Sequence, residues 1–266
     1  MRCCRAFVLV VLFGWCTPAF ADEPPALAKA RALYNAGSYD AAIQAAGTLR
    51  GDHQFGDAAT LVIARAHLER YRVQAELNDL AAARDALTAI RRGALSSRDQ
   101  LDLLIGLGQT LYFGNQFGAG AQLFATALAG ASLLPSRDRE LLLDWWATAV
   151  DRAAQTRPAE QRTALFVEIA TRMEQELAIE PGSAVANYWL VAAARGRGDV
   201  DRAWDAAVAA WVSAALAPET SKTLRADLDR LVNEALIPER ARTRPAREDP
   251  AVALRVEWER IKEVWK

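Results

Sequence analysis

Cysteine is the first thing this chain lacks. Its three cysteines, Cys3, Cys4 and Cys16, all lie near the N-terminus. If that segment is removed, neither a disulfide nor a thiolate metal site can hold the remainder together, and a Cys–His enzyme is excluded. Histidine is nearly as scarce, with only His53 and His67. His53 has Asp57 four residues on, but Gly56 lies between them and no third ligand is near. His67 has no carboxylate or histidine three or four residues away. A zinc or metallohydrolase motif needs more than this. No charge excess is present either: 32 Lys and Arg against 33 Asp and Glu give a net charge of -1. A nucleic-acid binder would need a basic surplus to neutralise phosphates. No strand-like alternation, nucleophile elbow or phosphate loop is found. The stretch "GLGQTLYFG" from Gly106 lacks a preceding strand, and its glycines suit helix packing. No cofactor is expected.

Long apolar runs are confined to the first residues. Arg2 and Arg5 precede an apolar run from Ala6 to Trp15, and Ala19-Phe20-Ala21 places small residues ahead of "DEPP". That is the pattern of an export signal, residues 1–21, cleaved after Ala21. The run is shorter than the roughly 20 residues that span hydrocarbon. Trp15 in front of Cys16 argues against lipidation there. A periplasmic or secreted protein with no integral span is the expectation.

What is present in quantity is alanine, with apolar residues at three-and-four spacing, which is helical periodicity. Leu104, Leu107 and Leu111 form one stripe, and Leu123 and Ala127 belong to the next helix. A phrase recurs. Gly37 to Ile43, "GSYDAAI", aligns with Gly198 to Trp204, "GDVDRAW". Each has a glycine, an apolar residue two on, an aspartate, and an alanine two further on. The glycines follow helical runs, where positive φ is often required. Asp40 and Asp201 precede helical runs, where a carboxylate caps free N–H groups. The aspartates of "GDVDRAWD" therefore read as caps and turn residues.

This pattern resembles the tetratricopeptide repeat, a helix-turn-helix unit of about 34 residues. "LAIEPGSA", Leu177 to Ala184, resembles the end of one unit, and the next glycine turn falls at Gly198. Leu103 to Leu128 resembles another, with Gly120 as the small contact residue. Between Gly56 and Ile90, and again from Asp138 to Leu177 with a break near Pro158, only helical pairing is legible. The resemblance covers roughly residues 25 to 217. It implies an all-α, right-handed α-solenoid of degenerate helix pairs over residues 22–217. It also implies a concave groove holding a protein or peptide. The groove positions are Arg31, Tyr34 and Asn35, then Gln109, Tyr112 and Phe113, then Tyr188 and Arg195.

The C-terminal part, residues 218–266, departs from the pattern. Ser221 to Leu236 is amphipathic, residues 237–250 read as a Pro/Arg-rich connector, and Asp249-Pro250 opens a last helix. Leu254, Trp258, Ile261 and Trp265 fall on one stripe, which suits a cap over the solenoid end or a docking helix. Trp204 and Trp211, seven apart, share a face and read first as core. The leading expectation is a non-enzymatic binding scaffold, with a homo-oligomer open. Two alternatives remain. One is a small-molecule-binding periplasmic component, with a pocket among Trp145, Trp146 and Trp189, resembling the repeat subunit of a solute transporter. The other is an envelope hydrolase using Glu140 and Asp144.

Overall fold

The computed structural model describes residues 23–216, 218–244 and 249–265, and among them every regular element is a helix. The expected export signal, with Cys16, lies outside the described residues, as do residues 245–248. Five helix pairs come first: α1 (Pro25–Asn35) with α2 (Tyr39–Gly47), α3 (Gly56–Gln74) with α4 (Leu77–Ala89), and α5 (Ser97–Phe113) with α6 (Phe117–Ala129). Then follow α7 (Ser136–Gln155) with α8 (Ala159–Ile179), and α9 (Ala184–Gly196) with α10 (Val200–Ser213). Three helices close the chain: α11 (Pro218–Leu231), α12 (Ile237–Ala241) and α13 (Pro250–Val264). Among the described residues no helix is long and apolar enough to cross a membrane.

Each helix packs on the next, and odd helices also pack on odd ones: α1 on α3, α3 on α5, α7 on α9, α9 on α11. Side chains join α5 to α7, where Tyr112 and Phe113 meet Trp145. This serial order is consistent with solenoid stacking, in which each unit contacts only its neighbours. Odd helices make one layer and even helices the other. Alanine explains the closeness of the layers. Ala42, Ala46, Ala59, Ala64, Ala83 and Ala127 are fully buried, combining high helix propensity with little bulk between backbones.

Two glycine roles follow the sequence reading. Gly37 and Gly198 adopt φ of 76° and 78° in the turns between paired helices, a region that penalises any Cβ. Gly108 and Gly120 bring α5 against α6. A Cβ on Gly120 would sit 3.1 Å from the Gly108 carbonyl oxygen.

The caps differ from expectation. Asp199, not Asp201, caps α10, accepting from the Arg202 N–H at 3.1 Å. Asp40 lies in the first turn of α2 but caps nothing; it pairs with Arg70 at 2.8 Å. Asp201 likewise pairs with Arg240 at 2.8 Å. Both carboxylates keep a favourable place near a helix N-terminus, but their hydrogen bonds go to arginines distant in sequence.

The C-terminal region is less separate than its sequence suggests. Leu224, Leu228, Val232, Leu236, Ile237, Leu254 and Trp258 form one core with Val191 and Ala194 of α9 and Trp204 and Ala207 of α10. Trp258 is fully buried, with Trp204 and Trp211 against it at ring separations of 5.9 and 5.4 Å. The stripe of α13 thus covers the last helix pair, and Asp249 caps it by accepting from the Ala251 and Val252 N–H groups. Asp229 pins α13 in place, accepting from Trp258 Nε1 at 2.8 Å and Lys262 Nζ at 2.7 Å.

The expected connector needs correction at its start. Ile237–Ala241 is helical, and Ile237 is buried. It continues α11 through a widened turn, Val232–Leu236. The cause is Pro238, which lacks an N–H and whose ring would strike the carbonyl four residues back. That carbonyl belongs to Glu234, within the widened turn, which absorbs the conflict.

Candidate functional site: the face of the odd helices

Among the described residues the odd layer carries the half-buried side chains Arg31, Tyr34, Arg65, Tyr71, Arg98, Tyr112, Phe113, Asp144, Trp145 and Tyr188. Its first half, on α1, α3 and α5, is laced by arginine. Arg31 reaches Asp99 at 2.9 Å and Glu23 at 2.6 Å. Arg65 reaches Asp102 at 2.9 Å, and Arg98 bridges Asp102 at 3.4 Å to Asp138 of α7 at 2.9 Å. Asp99 and Asp102 are buried, and loss of an arginine partner would leave a buried polar group unpaired. Arg65 also lies 4.7 Å above the Tyr34 ring, a cation–π contact. Burial pushes the Tyr34 phenol above its ordinary range, against the pull of Arg65. Two small cavities open here. One, of ≈ 130 Å³, is lined by Arg31, Tyr34, Asn35, Arg65, Arg98 and Asp102, among others. The other, of ≈ 50 Å³, includes Tyr34, Glu69, Gln109, Asp138, Leu141 and Trp145. Each holds a side chain rather than a whole small ligand, whose pockets run to about 300–1,000 Å³.

An aromatic belt crosses the middle. Tyr71 meets Phe113 at 5.0 Å, Phe113 meets Trp145 at 5.6 Å, and Tyr112 meets Trp145 at 5.1 Å, all edge to face. These rings are half-buried, and exposed Leu141 lies beside Trp145 in the smaller cavity.

The second half, on α7, α9 and α11, is built differently. Glu140 accepts from the Ser183 hydroxyl and from the Val185 N–H at 3.2 Å, fastening α7 to the start of α9. Asp144 accepts from the Trp189 indole at 2.7 Å, and Asp151 from Gln155 at 3.3 Å. None of the three has a Lys, Arg or His within salt-bridge distance among the described residues. Burial pushes all three carboxyls above the usual range, and their neutral donors only partly offset it. Tyr188 stands among them. Its phenol is pushed up by burial and then by the charges of Asp227, Asp144 and Asp151, with Arg230 opposing.

The expected groove residues are distributed along this face. Arg31, Tyr34 and Asn35 line one cavity, while Gln109 shares the next with Tyr34. Tyr112 and Phe113 sit in the aromatic belt, and Tyr188 in the acidic half. Arg195 is engaged elsewhere, holding α12 through Glu239 at 2.7 Å. The expected groove set does not include Arg65, Tyr71 or Asp102, and Trp145 is expected only in the tryptophan pocket. Asp102 lies seven residues before Gln109, so extending the Gln109 face by two helical turns would have found it.

The residues of the two alternative sites lie in different surroundings. Trp145 lines the small cavity of the odd layer, whereas buried Trp146 borders a different hollow, of ≈ 330 Å³, with Leu128, Glu168 and Arg172 of the even layer. Trp189 borders neither. Burial raises the pKa of both Glu140 and Asp144, and each accepts a hydrogen bond that joins α7 to the α9 segment. His67 finds its carboxylate across the helix pair, Asp79 at 2.7 Å, a contact invisible to local spacing. Among the described residues no group of three or more His, Cys, Asp and Glu side chains is placed to hold a metal ion. Comparison of the chain with protein-family models, with curated proteins and with solved structures gives no match, so this face is read from its own geometry.

Proposed function

We infer that the chain is a non-enzymatic binding scaffold of the bacterial cell envelope, built from tetratricopeptide-like helix pairs. Its odd-helix face would hold an extended segment of another protein. The observation that carries this reading is the belt Tyr71, Phe113, Tyr112 and Trp145. Four half-buried rings drawn from three successive odd helices form one continuous strip. Rigid rings give contact area at little entropic cost, and interfaces favour them. The adjoining cavities of ≈ 130 and ≈ 50 Å³ suit single side chains of such a segment. Export through the N-terminal signal would place this face in the periplasm or outside the cell.

The test is site-specific photocrosslinking in the native envelope fraction. A photoreactive phenylalanine analogue replaces Tyr112 in one variant and exposed Glu160 of α8 in another. The expected result is a discrete crosslinked protein from position 112 and none from position 160. Equal or absent crosslinking from the two positions removes the reading. Circular dichroism of both variants confirms that they fold.

A further inference from the structure

The hollow of ≈ 330 Å³ on the even-helix side lies between α6 and α8. It reaches the size of small-ligand sites, about 300–1,000 Å³, which the cavities of ≈ 130 and ≈ 50 Å³ on the odd face do not. Its buried lining is Leu128 of α6 and Trp146 of α7. Trp146 is only 4% exposed, yet its indole N–H meets no acceptor among the described residues. Buried indoles elsewhere are satisfied: Trp189 donates to Asp144 at 2.7 Å and Trp258 to Asp229 at 2.8 Å. Trp204 lacks an acceptor too, but its ring is covered by Arg240 and Trp258. A buried donor left unpaired costs stability. The Trp146 nitrogen is not one of the fully enclosed unpaired atoms, so it keeps an opening, and the hollow is the opening that Trp146 lines. Glu168, Thr171, Arg172 and Gln175 form the rim. They fall on one face of α8, while Phe166, Ile169, Ala170 and Met173 enter the core. Arg172 is held by Glu176 at 2.8 Å. The Glu168, Thr171 and Gln175 side chains make no hydrogen bond or ion pair among the described residues.

We propose that this hollow binds a small, uncharged, hydroxyl-rich molecule, a monosaccharide. The lining argues for neutrality. Glu168 repels an anion, while the Arg172 guanidinium and the Trp146 indole, which can only donate, disfavour a cation. A hydroxyl both donates and accepts. One sugar ring can therefore accept from Trp146 Nε1, donate to the Glu168 carboxylate, and do either with Thr171 and Gln175. Its C–H edges suit Leu128 and Ala125. Ligand sites of this size combine an apolar lining with a few placed polar groups. The aromatic belt of the odd face takes no part, so this site and the groove stand or fall separately.

The test is nuclear magnetic resonance of the protein isolated from its own cells with nitrogen-labelled tryptophan. The Trp146 indole N–H signal is assigned through bonds, so no variant at Trp146 is needed. Glucose, galactose, mannose and N-acetylglucosamine are titrated separately, with putrescine and succinate as charged probes. The expected result is a saturable shift of the Trp146 signal with at least one of these sugars and none with either charged probe. Glu168→Gln weakens that sugar by about tenfold or more, the loss expected for a hydrogen bond to a charged group. Glu160→Gln, the same change at an exposed position of the same helix, leaves the affinity unaltered. Both positions are exposed, and circular dichroism checks that both variants fold. A Trp146 signal that no sugar shifts, or that shifts without saturating, overturns the site. Equal weakening by the two variants places the sugar elsewhere and overturns it as well. A saturable shift with putrescine or succinate that matches the sugars overturns the neutral ligand.

Discussion

The two halves of the odd-helix face use the same residue types and reach opposite electrostatic results. On α1, α3 and α5, each buried carboxylate has one or two arginines within hydrogen-bond reach, as Asp102 does between Arg65 and Arg98. On α7, Asp144 and Asp151 are half-buried and rely on neutral donors. A paired buried ion contributes modestly but is costly to break, whereas an unpaired one is a standing cost. The difference separates a self-satisfied half, which holds the stack together, from an unsatisfied half. Residues poorly placed for stability are candidates for binding, because stability and function trade against each other.

The largest expected effect breaks the first half. Asp102→Ala leaves Arg65 and Arg98 facing each other without their shared carboxylate. Loss of one partner of a buried pair costs about 3–5 kcal/mol, to be read from the midpoint of urea unfolding. A shift near zero would show the arginines finding other acceptors and would erase the contrast. Next in size is Gly120→Ala, which touches no charge. Its Cβ would press on the Gly108 carbonyl and on the Tyr112 backbone. Overpacking of this kind costs roughly 1–3 kcal/mol. It calibrates how much of the stability resides in close α5–α6 contact rather than in ion pairs.

How much of this was legible beforehand depends on sequence distance. Gly37, Gly198 and Gly120 could be assigned because their roles depend on local conformation or on a repeated small-residue position. The helical periodicity, the break near Pro158 and the Asp249-Pro250 start are local for the same reason. Partners across the stack were not legible. Asp40 with Arg70, Asp201 with Arg240 and His67 with Asp79 are decided by which faces the stacking turns together. Local capping rules therefore misassigned Asp201 when Asp199 stood two residues away. Tyr71 was missed, and Trp145 was assigned to a tryptophan pocket and not to this face, because the units around them drift in length and repeat phase could not be carried through. Trp145-Trp146 is a harder case. Adjacent residues point about 100° apart on a helix, and only packing shows that Trp146 enters the core while Trp145 stays half-buried beside Tyr112 and Phe113.

A smaller effect of opposite sign sharpens the comparison. Asp144→Asn keeps an oxygen acceptor for the Trp189 indole and removes the charge. If the second half carries an uncompensated penalty, this variant is more stable than the parent by about 0.5–2 kcal/mol, the range of ordinary stabilising substitutions. Asp102→Asn, the same chemical change in the first half, destabilises. Measured side by side in urea, equal signs would show that the two carboxylates are not in different electrostatic settings.

The smallest effect is in the pH dependence. The carboxyls of Glu140, Asp144 and Asp151 titrate above the usual range when folded, because burial disfavours their charged forms. Between the ordinary carboxylate range and these raised values, the folded chain holds protons that the unfolded chain releases. Their contribution to stability is therefore full at low pH and falls as pH rises through that window. Asp227 steepens the fall at Asp144, and Glu180 does so at Glu140. Arg139 near Glu140, and Arg152 and Arg195 near Asp151, soften it. Asp229 works the other way. Although partial burial opposes it, hydrogen bonds from Lys262 and Trp258 hold its carboxyl below the usual range. Its contribution is thus lost as pH falls. The whole-protein curve mixes both signs, so the informative quantity is the difference between parent and the Asp144→Asn, Asp151→Asn variant, measured by urea unfolding at each pH. That difference favours the variant above the window and shrinks toward zero below it, where the parent's carboxyls are already protonated. A pH-independent difference would mean that Asp144 and Asp151 act through packing alone. The second half of the face would then hold no uncompensated charge.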